Sequence, residues 1–275
     1  MRWAEIDAQQ IVFNAHYLMY FDTAVAGYWR ALGDAVRTRR WKRCGGDLFV
    51  RKATLEYLGS ARLRRRPRRS ACAARGSATR RFAFVAGAFR QEQLLVSGEL
   101  IYVFADPDGQ GAACRCRAEL RELFESFEAG EPMVDVRVGS WRELEAAARP
   151  IRAEVFIAEQ KIPAEMEWDD ADADAVHAVA FNRLGRALGT GRMLEHVPGV
   201  AKIGRMAVAA SSRHSGVGRA VLDALLDAAR ARGDREAVLH AQLGAAPFYE
   251  RAGFVRRGPE FDEAGIAHVE MLRVL

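Results

Sequence analysis

Arg213-His214-Ser215-Gly216-Val217-Gly218-Arg219-Ala220 stands between a run that reads as a strand, Ala201 to Ala209, and one that reads as an amphipathic helix, Val217 to Arg232. A glycine-rich turn at a helix start leaves several backbone N–H groups unpaired and close together. Those donors and the positive end of the helix dipole point the same way, an arrangement that holds a pyrophosphate. About thirty residues on comes Pro247-Phe248-Tyr249-Glu250-Arg251-Ala252-Gly253-Phe254.

Working outward, this half alternates strands with helices. Val134 to Val138, Ala175 to Arg183, Ala187 to Glu195 and Ala237 to Ala241 read as strands, with final strands holding Phe254 and His268 to Leu272. Trp141 to about Gln160 reads as a helix that Pro150 breaks or kinks. On the helix after the turn, Val217, Ala220, Val221, Ala224, Leu225 and Ala228 are expected to face inward. Ala245 to Ala252 reads as a short helix. The pattern predicts a mixed α/β domain over residues 132–275, bounded by the turn-rich stretch Ala129-Gly130-Glu131-Pro132.

The front of the chain has a different pattern. Asn14 is placed to cap a helix running to about Leu32, with Gly33 as its stop. Tyr17, Leu18, Phe21, Ala24, Val25, Tyr28 and Leu32 fall at three- and four-residue steps and form one apolar face. Met1 to Asp7 is short and strand-like, and Phe49 to Leu58 alternates as a strand. Arg81 to Phe89 and Leu94 to Phe104 read as a hairpin around Gln91-Glu92-Gln93. Asp106-Pro107-Asp108-Gly109 is turn chemistry, and Ala118 to Phe127 a short helix. Residues 1–128 are thus expected to form a domain of their own, giving an α+β, mixed α/β chain of two domains.

Residues 62–80 fit neither pattern. The segment is arginine-rich, has no period and interrupts a run of strands. It reads as an exposed basic loop, as a nucleic-acid patch without aromatic interleaving, or as a shifted reading frame in a GC-rich gene. Poor order is expected from Leu63 to about Arg80.

The 275 residues carry a formal net charge of +5. Positive potential suits a phosphate-bearing ligand as well as nucleic acid, and nucleic acid is the less favoured partner. Cys44, Cys72, Cys114 and Cys116 make no disulfide framework, and Cys114-Arg115-Cys116 has the wrong spacing for a structural zinc site. The cysteines read as plain thiols of a reducing, cytoplasmic compartment, and no metal is expected. No apolar run approaches membrane-spanning length.

The C-terminal segments resemble the GNAT family of acyl-CoA-dependent N-acetyltransferases, nearest its ElaA-like branch through Val155-Phe156-Ile157-Ala158-Glu159-Gln160, Ile203-Gly204-Arg205-Met206-Ala207-Val208 and Gly265-Ile266-Ala267-His268. The resemblance implies that Met206, Ala207 and Val208 pair with the pantetheine arm of acetyl-CoA. It implies that Arg213, His214, Ser215, Gly216, Val217, Gly218 and Arg219 wrap its diphosphate. Tyr249 matches the position whose phenol protonates the departing thiolate. The acceptor is a primary amine, with Glu167, Asp169, Glu195 or a water chain as base. Asp169 to Asp174 reads as a solvated acidic loop or an attractor for a cationic amine. Where the branch often carries histidine after Gln242, this chain has Gly244.

The stretch from Arg2 to Asp22, through Asp7, Ile11-Val12-Phe13-Asn14 and His16-Tyr17, is similar to the hot-dog acyl-CoA thioesterases of the 4-hydroxybenzoyl-CoA (YbgC-like) type. Gly45 to Val50 and Ser97 to Tyr102 add to the likeness, which runs to about Asp106. It implies an antiparallel sheet wrapped on one long helix, homo-oligomers formed through that domain, and Asp7 as the catalytic carboxylate. Backbone N–H groups near Asn14 to Tyr17 would hold the oxyanion. The usual glycine after the aspartate is replaced by Gln10. Taken together, the resemblances imply a bifunctional coenzyme A enzyme. The alternative is an acetyltransferase whose front half is an inactive dimerisation or acyl-CoA-binding module.

Overall fold

The computed structural model describes residues 6–32, 47–62, 69–78, 81–105 and 118–275. The chain divides into two compact units, Met1–Met133 and Val134–Leu275.

In the first unit, helix α1 (His16–Ala31) lies on an antiparallel sheet of β1 (Asp47–Tyr57), β2 (Arg69–Ala78), β3 (Arg81–Arg90) and β4 (Gln93–Ala105), in the order β1-β4-β3-β2. Tyr17, Phe21, Val25 and Tyr28 are buried on one face of α1, and Phe82 and Phe84 on β3 alternate inward to meet them. Each such ring is worth about 1.5–3 kcal/mol when fully buried. The helix sits close: a Cβ on Gly98 would come within 2.5 Å of the Phe21 ring. Helix α2 (Ala118–Glu128) adds Phe124, whose ring lies 4.8 Å from Phe82. Glu128 Oε1 accepts from Tyr28 Oη and from the Ala74 N–H, both at 2.7 Å, tying α1 and β2 to α2.

Several expectations are corrected. Asn14 is not the helix cap; the cap position is Ala15, itself in helical conformation and with no side-chain hydrogen bond, while the Asn14 carbonyl accepts from the Tyr17 N–H and the Tyr57 hydroxyl. The arginine-rich segment is not wholly a loop. Arg69–Ala78 forms β2, paired with β3 from Arg69↔Phe89 to Ala78↔Arg81. Strand pairing needs backbone groups rather than apolar side chains, and β2 is an edge strand, where polar residues are tolerated. The expected stop at Gly33, the turn at Asp106 to Gly109, and Cys44, Cys114 and Cys116 lie outside the described residues.

The second unit is a seven-stranded sheet in the order β10-β11-β9-β8-β7-β6-β5. Its strands are β5 (Val134–Gly139), β6 (Val176–Asn182), β7 (Ala187–Val197), β8 (Val200–Val208), β9 (Glu236–Gln242), β10 (Val255–Glu263) and β11 (Ile266–Val274). All neighbours are antiparallel except β8 and β9. Helix α3 (Trp141–Arg152) contains Pro150 without ending there; the coil then widens into a π-helical stretch, Ala153–Glu159. Pro150 offers no N–H, so one helix bond is missing in the turn just before the widening. Helix α4 (Ala164–Glu167) follows.

Helix α5 (Val217–Arg232) spans the predicted residues but is turned from the predicted face. Its buried side chains are Val217, Val221, Leu222, Leu225, Leu226 and Ala229, while Ala220, Ala224 and Ala228 are half-buried. The larger leucines win the sheet-facing stripe because they remove more apolar area from water. Helix α6 (Ala246–Arg251) and Phe254 close the core beside Tyr249. Among the described residues no helix is long and apolar enough to cross a membrane.

Candidate active site

The site begins where two strands part. Strands β8 and β9 run parallel, and their pairing covers Val200↔Glu236 to Ile203↔Leu239 and goes no further. Both strands continue, to Val208 and to Gln242. On the other side of β8, the register with β7 slips between Thr190 and Arg192, opposite Arg205, whose φ is +52°. An extra residue of this kind bends a strand, and here it coincides with the parting. The Ala209 N–H donates to the Leu188 carbonyl at 2.9 Å. By antiparallel alternation, the N–H and carbonyl of Val208 therefore turn away from β7, toward the open side. Met206, Ala207 and Val208 thus lie on a strand edge whose partner has left.

The glycine turn lies directly after this edge. Gly216 precedes α5 in the left-handed region, φ +87°, where a side chain would be strained. The first helical bond runs from the Ala220 N–H to the Gly216 carbonyl at 3.0 Å. The N–H groups of Val217, Gly218 and Arg219 therefore have no helical partner. No side chain caps the helix and no acid lies in its first turn. His214 is exposed at φ +64°, and Ser215 Oγ donates to the Ser212 carbonyl at 2.6 Å.

The two arginines of the turn are engaged within the chain. Arg213 forms a two-pronged pair with Glu159, at 2.8 and 2.5 Å, and donates from Nε to the Val208 carbonyl at 3.2 Å. The Glu159 hydrogen bond raises the Arg213 pKa further. Arg219 Nε contacts both oxygens of Asp223 at 2.8 Å. In this arrangement the open donors of the turn are backbone amides.

A cavity of about 420 Å³ opens beside the parted strands. Tyr249, Met206 and Gly204 line it, with Phe156, Gln160 and Gln242. Burial pushes the Tyr249 phenol up to about 12, so it is neutral and able to donate at neutral pH. Of the three acids expected as bases, Glu167 and Asp169 line the cavity, whereas Glu195 is exposed and does not. Glu167 is buried, held by Arg152 Nε at 2.5 Å and Arg205 Nε at 3.2 Å. Burial raises its pKa against the pull of those arginines. Asp169 accepts from Arg192 at 2.5 Å and from Arg205 at 3.1 Å.

The acidic run is thus not simply a solvated loop: Asp172 is buried, 2.8 Å from both Arg152 and Arg192. Isolated buried charges would be prohibitively costly, so these acids and arginines hold one another. Gly244 lies in the turn after β9 with open space beside it. The structure also brings into the cavity His240 and Glu263, which the sequence reading missed. His240 Nδ1 lies 2.8 Å from Glu263 Oε2, and His268 lies nearby on β11. Gln160 and Gln242 join their amides at 3.0 Å. Strand alternation placed His240 and Gln242 on one face; only the β10–β11 hairpin brings Glu263 to them.

In the first unit, Asp7 is held in a turn. Its Oδ1 accepts the Gln9 N–H at 2.8 Å and lies 3.4 Å from that of Ile11. Gln10 keeps a glycine-like φ of +60°. The His16 and Tyr17 N–H groups, expected to face an oxyanion, donate to the carbonyls of Phe13 and Asn14. Local turn bonds therefore occupy two of the expected donors. Among the described residues no group of three or more His, Cys, Asp or Glu side chains is placed to hold a metal ion.

The model of the Acetyltransferase (GNAT) domain family matches residues 144–275. The chain is similar to the uncharacterized N-acetyltransferase YjcF of Bacillus subtilis, 37% identical over 45% of this chain and 87% of that protein. Among solved structures, Escherichia coli ElaA is 25% identical over 51% of this chain and 99% of its own, with a TM-score of 0.47. A gentisyl-coenzyme A thioesterase is 18% identical over 46% of this chain and 95% of its own, with a TM-score of 0.37.

Proposed function

The chain belongs to the GNAT acetyltransferase family through its C-terminal unit, and from that premise we propose that it moves an acetyl group from acetyl-CoA to a primary amine. The observation that carries this reading is the parting of β8 from β9 beyond Ile203↔Leu239, with the uncapped start of α5 at one end of the gap and Tyr249 beside it. The exposed edge at Met206 to Val208 offers strand-like hydrogen bonds to the amides of the pantetheine arm. The amides of Val217, Gly218 and Arg219 take the diphosphate. Arg213 and Arg219, paired with Glu159 and Asp223, stiffen the turn.

The amine attacks the thioester carbonyl directly, with no acyl-enzyme. As the C–S bond breaks, sulfur leaves with its electron pair and takes a proton from Tyr249. Calorimetry with acetyl-CoA, together with coenzyme A release in the presence of amines, tests the reading. Binding in the micromolar range and amine-dependent release are expected; no heat with acetyl-CoA overturns it.

The second reading concerns the first unit, where one long helix laid on an antiparallel sheet supports a hot-dog thioesterase. In this reading Asp7 activates water or attacks the acyl carbon, and the unit pairs with a second copy of the chain. Its turn bonds hold the carboxylate at a set angle. Amine-independent hydrolysis of acyl-CoA is expected, and Asp7→Asn, which keeps the accepting Oδ1, should remove about 10²-fold of it while sparing acetyl transfer. Unchanged hydrolysis in that variant removes Asp7 from the reaction, and no hydrolysis by the parent chain leaves a binding or dimerisation module in its place.

A further inference from the structure

The acids on the Arg205 side of the cavity are poorly suited to take a proton, because Glu167 and Asp169 are held by Arg152, Arg192 and Arg205. His240 differs. It follows Leu239, the last residue of β9 that pairs with β8, so it stands at the vertex of the gap. Leu239 and Ala241 enter the core with α5, and alternation puts His240 on the cavity face, where it joins the lining.

Its ring is held from two sides. Nδ1 lies 2.8 Å from Glu263 Oε2, and the Phe261 ring meets it edge-on at 4.9 Å. An ionised carboxylate only accepts hydrogen bonds, so Nδ1 carries the hydrogen and Nε2 presents its lone pair. Burial raises the Glu263 carboxyl, but the His240 hydrogen bond and the nearby Lys202 ammonium bring it below the usual range. Glu263 ends β10, and the hairpin beyond it is fixed by the Gly265 N–H bond to Asp262 Oδ1 at 3.0 Å.

We propose that His240 is the general base that deprotonates the acceptor ammonium, and that Glu263 is its positioning residue. The inference rests on the acetyl-transfer reading. An N–H bond of the ammonium breaks and an Nε2–H bond forms. The freed nitrogen lone pair bonds to the acetyl carbonyl carbon, and the C–S bond breaks. Sulfur takes the Tyr249 proton, and the second proton lost by nitrogen as it becomes an amide restores the phenol. The proton on His240 passes to solvent, so each turnover releases one proton.

The charged groups facing His240 are Glu263 on β10, Glu270 on β11 (itself bound by Arg257), Lys202 on β8 and His268 on β11. His196 on β7 adds to the field at Glu270. Glu167 and Asp169, with Arg192 and Arg205, also line the cavity.

The test is kcat/KM against pH for the full chain, His240→Gln and Glu263→Gln, with spermidine, glucosamine, a lysine-containing peptide and aniline as acceptors. For an alkyl amine that the parent chain acetylates, His240→Gln should lower kcat/KM about 10²–10⁴-fold and remove the acidic limb of the profile. Aniline, already unprotonated at neutral pH, should lose far less. Glu263→Gln, whose amide oxygen can still accept from Nδ1, should lose less than His240→Gln, with the loss in kcat rather than in KM. Acetyl-CoA binding by calorimetry should match the parent in both variants. A His240→Gln enzyme that keeps the parent rate and acidic limb overturns the inference. A parent chain that does not bind acetyl-CoA overturns the underlying reading instead.

Discussion

The two units build sheets to opposite ends. In the first, β3 and β4 pair from the hairpin at Arg90↔Gln93 to Arg81↔Val103, and β1 follows β4 from Tyr57↔Val96 to Asp47↔Ala105. In the second, β8 and β9 share four rungs and then separate. Buried backbone polar groups must find partners. A sheet that keeps its rungs satisfies itself, whereas one that parts offers the same groups to a ligand. The units also bury different polar chemistry. In the first, neutral groups respond to burial: burial, then the Glu128 hydrogen bond, pushes Tyr28 far up, and burial with the Glu128 charge raises the half-buried Cys72 to about 11. The second buries charges, in the chain of ion pairs from Arg152 to Asp169.

The largest effect that would separate the units is Arg152→Met. It leaves Glu167 and Asp172 buried without a main partner and should cost about 3–5 kcal/mol, read as a lowered calorimetric transition of the second unit only. Next is Tyr249→Phe, which keeps the packing and removes the acid. Turnover with an amine should fall about 10²-fold while the acetyl-CoA Kd stays the same. If that rate does not change, the phenol is only a core ring.

In the first unit, Tyr28→Phe should be milder, about 1 kcal/mol by urea unfolding, because Glu128 keeps its bond to the Ala74 N–H. A cost as large as that of Arg152→Met would erase the contrast drawn above. The smallest expected effect is on acid stability. Burial alone would raise Asp169, but the Arg192 hydrogen bond and the charges of Arg192, Arg205 and Arg152 hold it below the usual carboxylate range. The native state then binds fewer protons there than the unfolded chain. That stability is present above the unfolded value, about 3.9, and is lost as pH falls through the lower native value. Asp169→Asn should flatten part of that decline in a thermal-unfolding series below pH 4.

Much of the architecture was legible because it is local. Apolar spacing marked α5 to its last residue, and the hairpin of β3 and β4 followed from alternation and a short polar turn. The failures have specific causes. Ala224 and Ala228 fit the helical period as well as Leu226 and Ala229 do, and only packing on the sheet chose between them. Arg69 to Ala78 shows no apolar alternation, yet β3 supplied an edge to pair with. Pro150 was expected to break or kink α3; the helix runs through it to Arg152 and then widens into a π-helical stretch.

The site divides the same way. The glycine turn was legible from the chain, because a left-handed Gly216 before a helix is a property of neighbouring residues, whereas Tyr249 was singled out only through the family resemblance. His240 and Glu263 could not, since β11 lies between their strands and only the hairpin at Ala264-Gly265 returns Glu263 to His240. Nor could spacing reveal that Glu167, Asp169 and Asp172 are committed to Arg152, Arg192 and Arg205.

By itself, the order of residues determined most of the segments that become helices and strands, and the glycine turn that leaves the start of α5 uncapped, since both depend on neighbours along the chain. Which acids remain free to take a proton was decided only by the folded sheet. Charge pairing depends on distance in space, and the arginines that hold those acids come from α3, β7 and β8.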